Sequence, residues 1–232
     1  MDEAGGKTKD FCSTWIRDVD RRVYHRRDFY PNQDMCPDNV YNLFTGFQSE
    51  YIENVDDRKE VTPFLEFIND VICDFDKGAS KYLLHYIADV FQNPDVRPDV
   101  AILLRGQKGV GKELIFQFIE AMMGSQYTFS TDEIDEVVGK YNEGVSKCLV
   151  LKLEEISIEG MTGHENDRKI KNFITEPEHS VGNKHVKKWT EKNRSRVFFM
   201  SNGLNPINIT SDNRRFCVIK TGCRRKQEYY NR

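Results

Sequence analysis

The sequence predicts an α/β protein, a parallel sheet flanked by helices on both faces, with a small N-terminal α+β or helical region. Two observations carry this. The runs Asp99–Leu104, Lys147–Leu153 and Arg196–Met200 are apolar with little polar alternation, as expected of strands buried on both faces. Helical patterns separate them, and strands alternating with helices point to parallel crossovers.

In chain order, the first stretch, 1–60, reads as an appendage. Val23-Tyr24-His25 and Phe29-Tyr30 suggest short strands, and Pro31 and Pro37 mark loops. Trp15, Tyr24, Phe29, Tyr41, Phe44 and Phe47 are expected in the core rather than on a ligand. Residues 61–98 read as a helical region packed on the core. Thr62 is expected to cap a helix with Pro63 at its first position. Phe64, Phe67, Ile68, Val71, Ile72 and Phe75 follow at helical spacing. Gly78 is expected to break that helix. A second helix is expected over 80–91, with Leu83, Leu84, Ile87, Ala88 and Phe91 on one face and Asn93-Pro94 at its end. The core is expected over 99–232. After the first buried strand comes a glycine-rich turn and an amphipathic helix over 112–123.

Composition narrows the function classes. The chain has 232 residues, 38% hydrophobic and 31% charged, which fits a soluble globular protein. No apolar run approaches the ~20 residues that span a bilayer, and no secretory signal opens the sequence. None of the six cysteines forms a CxxC pair, so reduced thiols in an intracellular protein are expected, with no zinc site. The net charge of −3 does not announce a nucleic-acid binder, but its distribution is uneven. Residues 125–163 hold eight acidic and three basic side chains, 164–196 five and nine, and 214–232 one and seven. The last third is where phosphate contacts are expected, although charge runs are usually a solvated surface.

The strongest motif is Gly106-Gln107-Lys108-Gly109-Val110-Gly111-Lys112, a match to GxxxxGK between a strand and a helix. Glycines let successive N–H groups turn toward phosphate oxygens, and the helix N-terminus adds positive charge. Lys112 would reach the β- and γ-phosphates of ATP. A plain strand–helix turn needs neither three glycines nor the lysine, so a P-loop is the expectation. Residue 113 is Glu, where Ser or Thr normally offers a hydroxyl to Mg²⁺. A carboxylate is also a hard oxygen donor, so Glu113 and Glu154 are the expected ligands of Mg-ATP.

Glu154-Glu155 end the second buried strand. There a carboxylate can face the metal and another can polarise the attacking water. Glu155 is assigned the water and Glu154 the metal. The plain alternative is a surface acidic pair. Asn202, after the third strand, is a candidate sensor of the γ-phosphate, or part of an Asn-Gly turn. Arg214-Arg215 precede a further apolar strand, Cys217–Ile219. They could be a surface patch, or in an oligomer reach a neighbour's γ-phosphate.

In this order, GxxxxGK, strand–Glu-Glu, strand–Ser-Asn and Arg-Arg-Phe resemble the superfamily 3 helicases of DNA viruses and mobile elements. The likeness is greater to the primase-helicase proteins of phages and large DNA viruses. Lys171–Pro177 looks like their KN-[FL]-IT-EP segment. Trp15–Asp18, Tyr41–Gly46 and Gln92-Asn93-Pro94 also resemble segments upstream of the P-loop in these proteins. The resemblance implies an AAA+-like P-loop NTPase core, assembled as a ring, commonly a hexamer, with ATP between subunits. It implies a DNA-gripping hairpin over 184–193, with Lys184, Lys187, Lys188 and Lys192 on phosphate and Trp189 stacked on a base. Arg214 or Arg215 would act in trans. Single-stranded or forked DNA is the expected substrate, and primase or other replication proteins are expected partners, in a host cytoplasm or nucleus.

The expected activity is ATP hydrolysis coupled to DNA unwinding. The alternative is a nucleotide-responsive DNA-binding module with little turnover. A P-loop kinase for a small metabolite ranks third, because no arginine-rich lid is visible. RNA stays open as a substrate, since nothing visibly reads the 2′-OH. With no primase-type domain before the loop, the chain reads as a fragment or as a motor whose partners lie on other chains.

Overall fold

The computed structural model describes residues 10–52, 58–155, 164–202 and 214–222. The chain divides into two compact units, residues 1–45 and 46–232.

In the first unit, helix α1 (Phe11–Arg17) is capped by Asp10, whose carboxylate accepts from the Ser13 amide. Strands β1 (Arg26–Asp28) and β2 (Val40–Asn42) pair in parallel. They lie between and beyond the strands expected at 23–25 and 29–30. Phe29 and Phe44 are buried and meet edge to face at 5.9 Å, while Trp15, Tyr24 and Tyr41 are exposed. So small a unit has too little interior for all its aromatic rings.

The second unit begins its helical region with α2 (Arg58–Glu66), which runs directly into a π-helical turn, Phe67–Ile72. Pro63 lies inside α2, not at its start, so the expected Thr62 cap is not made. The proline removes one helical hydrogen bond. Burial of Phe67, Ile68, Val71 and Ile72 in the next turn offsets that loss. Helix α3 spans Lys77–Gln92 and starts earlier than expected. Asp76 caps it by accepting from the Gly78 and Ala79 amides, so Gly78 sits in the first turn instead of breaking a helix. The buried face is Leu83, Tyr86, Ile87 and Val90, rotated slightly from the expected stripe.

Strands β3 (Ala101–Arg105), β4 (Thr128–Thr131) and β5 (Val150–Glu154) follow, with helix α4 (Lys112–Met123) after β3 and the short helix α5 (Asp135–Val138) after β4. Strand β5 starts three residues later than expected, because Lys147 turns the chain with φ +60°. Helix α6 (His164–Thr175) leads to an antiparallel hairpin, β6 (Glu178–Val181) and β7 (Trp189–Lys192). Strands β8 (Arg196–Ser201) and β9 (Phe216–Lys220) complete the unit.

The main sheet is fully parallel, in the order β4-β5-β8-β3-β9. Ala101 to Leu104, Val150 to Leu153 and all of β8 are buried, as expected for central strands covered on both faces. In this order β8 lies between β3 and β5. The end of β8 is therefore held between the glycine loop that follows β3 and the acidic pair that ends β5. Among the described residues no helix is long and apolar enough to cross a membrane.

Candidate functional site

The loop between β3 and α4 owes its path to its glycines. Gly109 and Gly111 take φ of +78° and +96°, which side-chain-bearing residues rarely adopt. At Gly106 the constraint is steric: a Cβ would lie 1.7 Å from Thr221 Oγ1. Thr221 follows β9, and its amide donates to the Arg105 carbonyl at 2.8 Å. The sheet thus presses its edge strand against the start of the loop.

Lys112, the first residue of α4, is buried. Its ammonium donates to the carbonyls of Gly106 (2.7 Å) and Gln107 (3.0 Å) and to Asn202 Oδ1 (2.8 Å). All three donors are used. Burial pushes the Lys112 pKa down, and the charge of Glu155 works against that shift. Asn202 in turn donates through Nδ2 to Glu155 Oε1. Glu155 adopts a left-handed backbone, φ +48°, while its amide extends the ladder to the Met200 carbonyl at 2.9 Å. A left-handed non-glycine residue costs about 1–3 kcal/mol and clusters at functional sites. Lys112, Asn202 and Glu155 therefore form one hydrogen-bonded chain across the ends of three elements.

Glu113 and Glu154 have another neighbour. Lys152 lies two residues before Glu154 on β5, on the same face of the sheet. Its side chain is only 4% exposed. Its ammonium contacts both oxygens of Glu113 (2.6 and 2.7 Å) and Glu154 Oε1 (2.6 Å), and sits 4.6 Å from the Phe116 ring centre. The Glu154 carboxyl is held below the usual range by the Lys152 hydrogen bond, against some desolvation, with help from the Lys152 charge and Ser130. The donor set expected to hold Mg²⁺ is thus already bridged by an ammonium. Among the described residues no group of three or more His, Cys, Asp or Glu gathers as a metal site. As arranged, Glu113 and Glu154 do not fit a protein-held Mg²⁺.

These side chains surround a cavity of about 570 Å³. Lys108, Lys112, Glu113, Glu154, Glu155 and Asn202 line it. It lies beyond the carboxyl ends of the strands, where open parallel sheets place their ligands, and its volume is in the range of small-molecule sites.

The other expected site residues lie elsewhere. Arg214 is exposed and Arg215 half-buried just before β9. The Arg215 carbonyl accepts from the Ala101 amide, at the start of β3. The pair therefore occupies the amino end of the sheet, one five-residue strand or about 16 Å from the loop. Neither reaches the cavity within this chain. Gly203 and residues 211–213, which flank these motifs, lie outside the described residues.

The segment expected as a hairpin over 184–193 supplies the connection and the second strand of the β6–β7 hairpin, whose first strand lies upstream of it. Residues 182–188 form the connection. The Gly182 amide donates to Asn142 Oδ1, whose amide nitrogen holds the carbonyls of Val137 and Ser180. Lys187 and Lys188 are exposed in this connection, and Lys184 lies 5.9 Å from the Tyr141 ring centre. Trp189 is half-buried and donates its indole N–H to Glu191 at 2.6 Å. The Lys192 ammonium is paired with Asp95, which also accepts from Arg194 Nε at 2.7 Å. The segment Lys171–Pro177 has a structural task. Its carbonyls at 174 and 175 accept from Arg97, and those at 173 and 176 from Asn193, which closes the end of α6.

Sequence reasoning missed Lys152. The signal was present: a lysine between two leucines in a buried strand requires an anionic partner, and only the fold identifies which.

A family of unknown function, DUF5906, has a profile that matches residues 104–215. The chain is 22% identical over 180 residues to the DNA Primase-polymerase of Nitratiruptor phage NrS-1, covering 77% of this chain and 24% of that protein. It resembles the apo structure of the NrS-1 C-terminal region (305–718) with a TM-score of 0.66 at 20% identity, over 78% of this chain and 43% of that one. The A form of the same region gives 0.64 at 21% identity, over 79% and 42%. The chain thus spans less than half of each of these relatives, and the likeness establishes the fold.

Proposed function

We propose that this chain is the nucleoside-triphosphate-binding motor module of a phage-type DNA replication protein, built on a P-loop of the superfamily 3 helicase kind. The observation that carries the proposal is the chain Lys112–Asn202–Glu155 beneath a glycine loop with two left-handed glycines. The likeness to a phage primase-polymerase supports the replication setting.

The geometry suggests how ATP would act. Loop amides and the start of α4 receive the phosphates. Lys112 exchanges its contacts with the Gly106 and Gln107 carbonyls and Asn202 for phosphate oxygens. Asn202, released from Lys112, then orients a water together with Glu155. That water attacks the γ-phosphorus as the bond to the ADP oxygen breaks, and Glu155 takes its proton. Arg214, the more exposed of the two arginines, is suited to serve a neighbouring subunit in a ring, whereas Arg215 is half-buried. Lys184, Lys187 and Lys188 in the hairpin connection would contact the phosphates of single-stranded or forked DNA.

A second reading has its own observation. The bridge Glu113–Lys152–Glu154 favours a nucleotide-responsive DNA grip with little turnover. Steady-state ATP hydrolysis, with and without single-stranded DNA, separates the two. The motor reading expects hydrolysis that rises with DNA and disappears in Lys112→Ala. ATP binding without turnover at any protein concentration selects the second reading. No ATP binding at all refutes both.

A further inference from the structure

We propose that Lys152 is the resident cation of this site, standing where Glu113 and Glu154 would otherwise hold a divalent metal. Glu113 and Glu154 therefore supply no direct ligand to Mg²⁺, and the grip on the triphosphate does not depend on one. This inference rests on the nucleotide reading for its ligand, but the bridge itself does not.

Glu113 replaces the hydroxyl that normally meets the metal, so the loop side of the site carries a full negative charge. Glu154 brings a second from the end of β5. The ammonium of Lys152 meets both within 2.7 Å. One cation thus bridges the pair and offsets one of its two charges, and Ser130 Oγ adds a hydrogen bond to Glu154 at 3.2 Å. The two carboxylates are about half exposed while the lysine is 4% exposed. A metal entering between them must displace the lysine, which would then be a buried cation without its partners beside a doubly charged ion. Burying an unpaired charge is among the costliest changes a protein interior can undergo. Phe116 flanks the ammonium, its ring centre 4.6 Å away. The residues at 113 and 152 suit each other: a lysine inside a strand needs an anion, and Glu113 in the first turn of α4 supplies one.

Two measurements on the full chain test this. The first is the affinity of ATP by calorimetry in Mg²⁺ and in excess EDTA. The expected constants agree within about threefold, where a protein-held metal would separate them by roughly tenfold or more. A tenfold loss in EDTA overturns the proposal. The second is Mn²⁺ titration followed by electron paramagnetic resonance, without nucleotide. Wild type is expected to show no Mn²⁺ site that depends on Glu113 and Glu154. Lys152→Met, which frees both carboxylates, is expected to gain one, and Glu154→Gln added to that variant is expected to remove it. A wild-type site abolished by Glu113→Gln overturns the proposal, and so does a folded Lys152→Met chain that binds no Mn²⁺. If ATP does not bind in either buffer, the nucleotide reading fails, and the Mn²⁺ titration still decides the role of Lys152. If Lys152→Met does not fold, the two wild-type measurements decide.

Discussion

Replacing Gly106 with alanine tests the closest contact in the glycine loop. The added Cβ would meet Thr221 Oγ1 at 1.7 Å, Thr221 Cβ at 3.0 Å and the Thr221 carbonyl at 3.3 Å. Threonine is stiff about χ1, and its amide is tied to Arg105, so the strain falls on the backbone of the loop or of the edge strand. Overpacking of this kind costs about 1–3 kcal/mol. For a unit of this size each kcal/mol lowers Tm by about 2–4 °C, so the expected fall is about 2–12 °C. The same shift would move the Gly106 carbonyl, an acceptor for Lys112, and weaken ATP binding. Thermal unfolding by circular dichroism and ATP titration are the assays. Thr221→Ala removes the 1.7 Å collision and leaves the milder contacts, so the double variant is expected to recover much of both losses. Coupling between the two positions is then favourable, in the range of about 0.5–3 kcal/mol seen for touching residues. A Gly106→Ala chain with unchanged Tm and ATP affinity would refute the steric argument. Strict additivity with Thr221→Ala would refute the assignment of Thr221 as the obstacle.

Arg196 is fully buried and donates to Asp89 Oδ2 and to the carbonyls of Asp89 and Asn93 at the end of α3. Arg196→Met should cost about 2–4 kcal/mol in chemical denaturation, somewhat under the buried-pair range because Asp89 is partly exposed. Adding Asp89→Ala should return part of it. Lys187→Ala with Lys188→Ala should reduce the salt dependence of single-strand binding by about 1.4 in log–log slope, at roughly 0.7 for each phosphate contact, with ATP affinity unchanged. A slope identical to wild type would place the DNA path elsewhere. Acid should destabilise the chain in two stages. Burial holds the His179 pKa below its ordinary 6.5, against the pull of Glu191 and with Arg194 adding to the shift. The unfolded chain therefore takes up that proton first, and stability is lost as pH falls below 6.5 toward the folded value. The Glu154 pKa is depressed, so its contribution is present above the ordinary carboxylate range and lost as pH falls through its folded value. His179→Phe should remove the upper stage of a stability–pH curve and leave the lower.

Local chemistry determined much of this protein. Helix α4 occupies Lys112–Met123 as its pattern predicts, because its periodicity and the glycines before it and after it act within a few residues. The buried strands were legible because a strand covered on both faces leaves an uninterrupted apolar run. The glycine positions of the loop at Gly106–Lys112 were legible from spacing alone, and phosphate binding there is what the proposed function expects. Contacts between distant residues were decided by the tertiary structure. Strand order set Asn202 between Lys112 and Glu155, although some 90 and 47 residues separate it from them. It set Arg214 and Arg215 at the opposite end of the sheet from the loop, which no spacing in the sequence reveals. Lys192, one of a row of similar lysines, is committed to Asp95. Lys152, unremarked in its strand, meets Glu113 across the groove between β5 and α4. A charge chooses its partner by distance in space and by exclusion of water, and the sequence specifies neither until the sheet has formed.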